Sequence, residues 1–260
     1  MKHLLLALLL AGSALAPDAQ AQTLGLRLIL VGDSTLAPRS GYGNALCQRM
    51  DQLACLNLAR GGRSSKSYRA EGLWSSVLAL LREGGQRDLV LIQFGHNDQP
   101  GKPGRSTDLA SEFKPNLAGY VREARAAGAE VLLLTPLTRR SFNAQGQLHN
   151  DLRPWALATL ALADELQVPV IDLNALSAAA VQAMGPEQAD QLAIAPPASG
   201  TMHVPPPWMV ERAGPARPLF DHTHVGPQGA ALFADQVLQA LLALRPELAA
   251  AITPAAPPRP

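Results

Sequence analysis

Cysteine is nearly absent from this chain: 260 residues contain only Cys47 and Cys55. The pair does not have the spacing of a zinc site, which leaves out a cysteine-built metal domain. Two readings of it stay open. In an exported chain the pair can close a short loop, worth about 2–3 kcal/mol by chain entropy. Otherwise they are two buried thiols, one on a helix and one at a strand start. Signature loops are missing as well. Beyond residue 21 no Gly-x-Ser-x-Gly occurs, which argues against the common α/β-hydrolase elbow. No Gly-x-Gly-x-x-Gly or Walker-type phosphate loop occurs, and Gly61-Gly62 is too little to propose a nucleotide. Net charge is almost absent too, at +1. That balance argues against broad capture of nucleic acid or anionic lipid. No internal repeat is visible. After the first residues, no apolar run is long enough to span a bilayer.

The first residues read as a secretory signal: Met1-Lys2-His3, an apolar stretch Leu4–Leu10, and a small-x-small end at Ala19-Gln20-Ala21. Cleavage after Ala21 is expected, with export to the periplasm or the medium. It removes one lysine and one aspartate, so the net charge stays +1. An uncleaved anchor is the alternative. Residues 22–252 are read as one domain, since the length suits one core rather than two and 47% of residues are hydrophobic. The tail 253–260 is proline-rich and is expected to be disordered.

Short apolar runs recur at Leu26–Val31, Cys55–Leu58, Leu89–Phe94, Val131–Leu134 and Val168–Ile171. They are continuous rather than alternating, as strands covered on both faces should be. Helix-like stretches separate or follow them: roughly Gly43–Leu53, Gly72–Arg82, Leu109–Ala127, Leu152–Gln167, Leu173–Met184 and Pro227–Leu244. Gly84-Gly85 and Gly128 read as helix stops. The alternation predicts an α/β fold: a five-stranded parallel sheet, helices on both faces, strand order 2-1-3-4-5. Such a sheet opens a crevice at the carboxyl ends of strands 1 and 3, where the winding reverses.

Three polar clusters fall at that edge. Gly32-Asp33-Ser34-Thr35 follows strand 1, Gly61-Gly62-Arg63-Ser64 follows strand 2, and Gly95-His96-Asn97-Asp98 follows strand 3. A fourth, Asp221-His222-Thr223-His224, precedes the last helix. A serine attacks a carbonyl when a carboxylate-held histidine takes its proton. Ser34 is therefore the candidate nucleophile, His224 the base and Asp221 its carboxylate. An oxyanion would meet the backbone N–H of Ser34, that of Gly62 and the amide of Asn97.

Each residue also has a plainer reading. Ser34 can be a helix cap, Gly62 a loop glycine, Asn97 a turn residue, and Asp221 a cap with His224 incidental. His222 is an alternative base. Asp221, His222 and His224 are zinc-ligand types, although adjacent side chains diverge. Asp33 is read as holding its own turn through backbone N–H groups. His96 and Asp98 are read as supports, and His96 is also a candidate substrate contact.

The blocks GDST, ARGGRSS, FGHND and DHTH resemble the GDSL/SGNH hydrolase superfamily in order and spacing over most of the chain. GDSTLAP, GYG, GGRSSKSY, IQFGHNDQ, LLTPLTRRSF and DHTHVGPQGA look like its rhamnogalacturonan acetylesterase branch. The resemblance implies a flavodoxin-like three-layer α/β/α fold, catalysis by Ser34, Asp221 and His224, no cofactor, and removal of acetyl groups from pectic polysaccharide. Lipase, thioesterase or arylesterase chemistry on the same scaffold is the rival, and a non-catalytic carbohydrate-binding protein is another. The expected partner is an acetylated polysaccharide, with no nucleic acid, no membrane and a monomeric state. Arg63, Lys66, Arg69, Arg139 and Arg140 lie in loops that can face the crevice, where arginine can hold a uronate carboxylate; solvated loop charges are the alternative. Tyr42 and Trp208 are candidates for stacking on sugar. Trp208 belongs to a proline-rich stretch, Pro196–Pro218, read as a wall of the site.

Overall fold

Strand register explains why the apolar runs are continuous. Along β1 (Leu26–Gly32) every residue is buried. Leu26, Leu28 and Leu30 point to one core, and Ile29 and Val31 point to another. β3 (Arg87–Gln93) and β4 (Glu130–Leu134) divide in the same way: Leu89, Leu91, Leu132 and Leu134 against Val90, Ile92, Val131 and Leu133. A two-residue period inside an all-apolar run is what a doubly covered strand requires. β2 (Ala54–Asn57) and β5 (Val170–Ile171) complete a parallel sheet of order β2-β1-β3-β4-β5. The order is the one the sequence predicts.

The computed structural model describes residues 25–195 and 220–252. The signal-like segment 1–21, the proline-rich stretch with Trp208, and the tail 253–260 lie outside the described residues. One helical layer is α1 (Gly43–Arg49), α6 (Leu173–Asp190) and α7 (Pro227–Leu244), whose Leu46, Val181, Phe233, Val237 and Leu241 join the first core. The other layer is α3 (Leu73–Arg82), α4 (Lys114–Ala126) and α5 (Arg153–Glu165), joined to the second core through Trp74, Val77, Leu117, Val121 and Leu162. Each such apolar side chain stabilises the fold by about 1.5–3 kcal/mol.

Three departures from the expected boundaries have local causes. α1 stops at Arg49, because the chain turns at Met50–Leu53 to enter β2; a disulfide joins Cys47 to Cys55 across this turn, with Cα atoms 5.4 Å apart. α6 continues past Met184 to Asp190 through a break at Gly185, whose φ is 71° and which Pro186 follows. A single helical turn, α2 (Ser67–Ala70), was not expected. It is too short to carry a periodic signal.

At the amino-terminal end of the sheet, Arg27 and Asp88 form a buried ion pair, Nε to Oδ1 2.7 Å, between register partners on β1 and β3. The other end of the sheet carries the loops that bear the candidate chemistry.

Candidate active site

β1 ends in a turn that the sequence dictates atom by atom. A Cβ on Gly32 would lie 2.5 Å from the carbonyl oxygen of Gln93, so only glycine lets β1 and β3 stay this close there. Asp33 Oδ1 then accepts from the Thr35 backbone N–H at 2.9 Å and from Thr35 Oγ1 at 2.8 Å. This side-chain turn lifts Ser34 to the rim, where it is 7% exposed. Gln93 Nε2 donates to Thr35 Oγ1 at 2.7 Å, and Tyr42 Oη donates to Gln93 Oε1. Tyr42 is fully buried in this relay, so it has no face to offer a sugar. Burial works against the Asp33 charge, but His96 and the Thr35 bonds hold its carboxyl below the usual range.

The loop after β2 rises beside Ser34. A Cβ built on Gly61 would sit 3.9 Å from Ser34 Cβ. Gly62 has φ 77°, a left-handed conformation that glycine adopts without strain. The loop after β3 is tied to it. Asn97 Nδ2 donates to the Arg63 carbonyl at 3.1 Å. Arg105 Nη1 donates to the Gly62 carbonyl at 3.3 Å and lies 3.5 Å from Asn97 Oδ1. The Asn97 amide is thereby oriented at both ends, with one N–H to spare. Among the described residues, the backbone N–H groups of Ser34 and Gly62 likewise have no acceptor. The Ser34 N–H, the Gly62 N–H and one Asn97 N–H thus have no acceptor among the described residues. Asp98 braces the arrangement from below, accepting from Ser65 N and Oγ and from Thr107 Oγ1. Burial pushes the Asp98 carboxyl up to about 6, against the pull of those donors.

The candidate base, His224, lies on irregular chain just before α7. Asp221 Oδ1 accepts from the Thr223 and His224 N–H groups, both at 2.9 Å, and Oδ2 pairs with His224 Nδ1 at 2.8 Å. Burial raises the Asp221 carboxyl, but these bonds more than offset it and hold it below the usual range. A carboxylate on Nδ1 leaves Nε2 as the free basic nitrogen. Ser40 links the two halves: its Oγ donates to the Ser34 carbonyl at 2.8 Å, and its own carbonyl accepts from Val225 N–H at 3.0 Å. Ser34 Oγ and His224 Nε2 are not hydrogen-bonded to each other in this structure. His222 is directed to a different carboxylate, Asp190, 3.3 Å away.

The charged residues expected to touch substrate already have neighbours in the protein. Arg140 is 1% exposed, and its Nη2 donates to the carbonyls of Asp221 and His224 at 2.6 and 2.9 Å. Arg139 reaches Asp151 and Thr223 Oγ1. Arg63 pairs with Glu71 and donates to the Gly61 carbonyl. Lys66 pairs with Glu112, and Arg69 with Glu123. His96 is 2% exposed, with Nδ1 3.4 Å from Asp33 Oδ2, so it lies beneath the rim. Burial lowers its pKa, and Asp33 opposes this only in part. A charge read in one dimension has no visible partner; the fold supplies one from another segment, and Arg69, expected in a loop, lies on α2. Arg105 was missed for the same reason, since a lone arginine in a loop carries no pattern.

The sequence of the GDSL-like Lipase/Acylhydrolase family matches residues 30–232. The chain belongs to this family. Its chemistry is the hydrolysis of carboxylic esters. Among curated relatives, the rhamnogalacturonan acetylesterase RhgT of Bacillus subtilis (strain 168) is 34% identical over 215 residues, covering 79% of this chain and 84% of RhgT. The probable rhamnogalacturonan acetylesterase YesY of the same organism is 34% identical over 169 residues, covering 62% and 76%. The crystal structure of YxiM from Bacillus subtilis superposes with a TM-score of 0.65 at 27% identity. That match covers 84% of this chain and 56% of YxiM.

Proposed function

We propose that the protein removes O-acetyl groups from a carbohydrate polymer, of the rhamnogalacturonan type, through an acetyl-serine intermediate. The carrying observation is the Asp221–His224 pair, 2.8 Å at Nδ1, on a segment bonded through Ser40 to the nucleophile's own carbonyl. The likeness to RhgT over most of both chains supports the choice of substrate.

In this reading neutral His224 takes the Ser34 proton on Nε2 as Oγ attacks the acetyl carbonyl. The oxyanion is met by the N–H groups of Ser34 and Gly62 and by the spare N–H of Asn97, each worth about 3–4 kcal/mol. The intermediate collapses as imidazolium returns the proton to the departing sugar oxygen. Water, deprotonated by the same nitrogen, then releases acetate and restores Ser34. No step calls on a metal or cofactor. Export of the chain, through residues 1–21, is part of the proposal, since polysaccharide lies outside the cell.

Acetate release from acetylated rhamnogalacturonan, acetylated xylan, an acetylated chitin oligomer and long-chain synthetic esters tests it. Preferential release from the pectic polymer is expected. Preference for long-chain esters would replace the proposal with a lipase or thioesterase reading. Binding of polymer with no acetate from any substrate would leave a carbohydrate-binding protein.

A further inference from the structure

We propose that Arg140 is a positioning residue for the base: it holds the Asp221–His224 segment in its catalytic shape through main-chain carbonyls. The inference rests on the reading of His224 as the base. The segment needs such a device. Residues 220–224 form neither helix nor strand, and α7 begins only at Pro227. An Asp–His pair on irregular chain has no ladder to fix it, and a third of each side chain or more stays exposed.

One residue supplies much of what a ladder would. The Arg140 backbone N–H donates to the His222 carbonyl at 2.9 Å. Its guanidinium Nη2 donates to the carbonyls of Asp221 at 2.6 Å and of His224 at 2.9 Å. Three carbonyls in a four-residue segment thus bond to a single side chain and its own amide. Cation-assisted bonds of this kind are roughly twice as strong as neutral ones. The planar guanidinium suits the task, because one nitrogen can address two acceptors in a fixed plane.

The cost of the arrangement points the same way. Arg140 is 1% exposed, and no carboxylate comes within ion-pair distance of it among the described residues. Its Nε and Nη1 have no hydrogen-bond partner there. Asp221 and Asp190 act on it only through space. A buried cation kept on carbonyls alone costs free energy that an apolar side chain would not. Stability alone does not account for it, whereas orientation of the base does.

Kinetics of Arg140→Met and Arg140→Lys on p-nitrophenyl acetate test the proposal, with His224→Ala alongside. Loss of about a hundredfold in kcat is expected for Arg140→Met, with KM within about twofold, because misplacement by about an ångström costs on this order. Arg140→Lys, which keeps the charge but not the fork, is expected to recover about tenfold of that. The downfield Nδ1–H proton resonance of His224 should disappear in Arg140→Met and persist in the wild type. A folded Arg140→Met with kcat within threefold of wild type overturns the proposal, as does a defect confined to KM. Should Arg140→Met not fold, Arg140→Lys decides, and wild-type kcat there overturns it. An active His224→Ala would instead overturn the reading of the base itself.

Discussion

The two halves of the candidate site are built by different physics. The nucleophile half grows out of the sheet. Ser34, Gly62 and Asn97 follow β1, β2 and β3 directly, and Ser34 and Asn97 are 7% and 8% exposed. The strand ends place them, and side chains of β3 and of the loop after it lock the turns: Gln93 on Thr35, Asp98 on Ser65, Asn97 on the Arg63 carbonyl. The base half has no such parent element. Asp221 and His224 are 40% and 34% exposed in their side chains. They are held by their own turn, by Arg140 and, through the next residue Val225, by one bond to Ser40. A sheet can position a residue through its backbone ladder, whereas an irregular segment must be positioned by side chains that reach it from elsewhere. The lesson is that the base should be the more easily disordered half.

The largest effect should come from deleting either reacting group. Ser34→Ala and His224→Ala should each lower kcat by at least about ten-thousandfold, as members of one catalytic unit do. Ester hydrolysis at wild-type rate by purified Ser34→Ala would dissolve the comparison, because the sheet-borne half would then hold no nucleophile. Next in size is Asn97→Ala, expected to cost about a hundredfold in kcat and little in KM. An unchanged kcat would remove Asn97 from the oxyanion hole and leave it a mere bridge to the Arg63 loop.

Stability experiments sharpen the contrast further. Asp98 has its folded pKa raised to about 6 from 3.8, by burial. Its contribution to stability is therefore complete below about pH 4 and is lost as the pH rises through about 6. The unfolding free energy of the wild type minus that of Asp98→Asn should fall by on the order of 3 kcal/mol between pH 3.5 and 7. Denaturant titrations at several pH values measure it, and a flat difference would mean that Asp98 titrates as an ordinary carboxylate. The smallest effect on catalysis is expected from the pair Cys47→Ala and Cys55→Ala. It should cost about 2–3 kcal/mol of stability and leave kcat unaltered, since the bridge lies on the turn between α1 and β2.

Much of the sheet could be read directly. Leu26–Val31 and Leu89–Phe94 are apolar on both strand faces, and only a doubly covered parallel strand needs that. The edge strand β5 was harder to bound, because it has two residues and Val168 is already buried outside it. The candidate catalytic residues were legible as blocks, because each block follows a strand or precedes a helix. The supports were not. Nothing local to Arg140 distinguishes it from Arg139, yet one is buried against carbonyls and the other pairs with Asp151.

The amino-acid sequence alone determined the layer order, the edge at which the polar loops gather and which residues are candidates for the chemistry. These depend on periodicity, on turn-forming residues and on side-chain chemistry, which are properties of short segments. Only the tertiary structure decided which charges were spent and which donors stayed free. Arg139 and Arg140 find partners as far as 84 residues away. Such a pairing is a contact between distant segments and leaves no trace in either one.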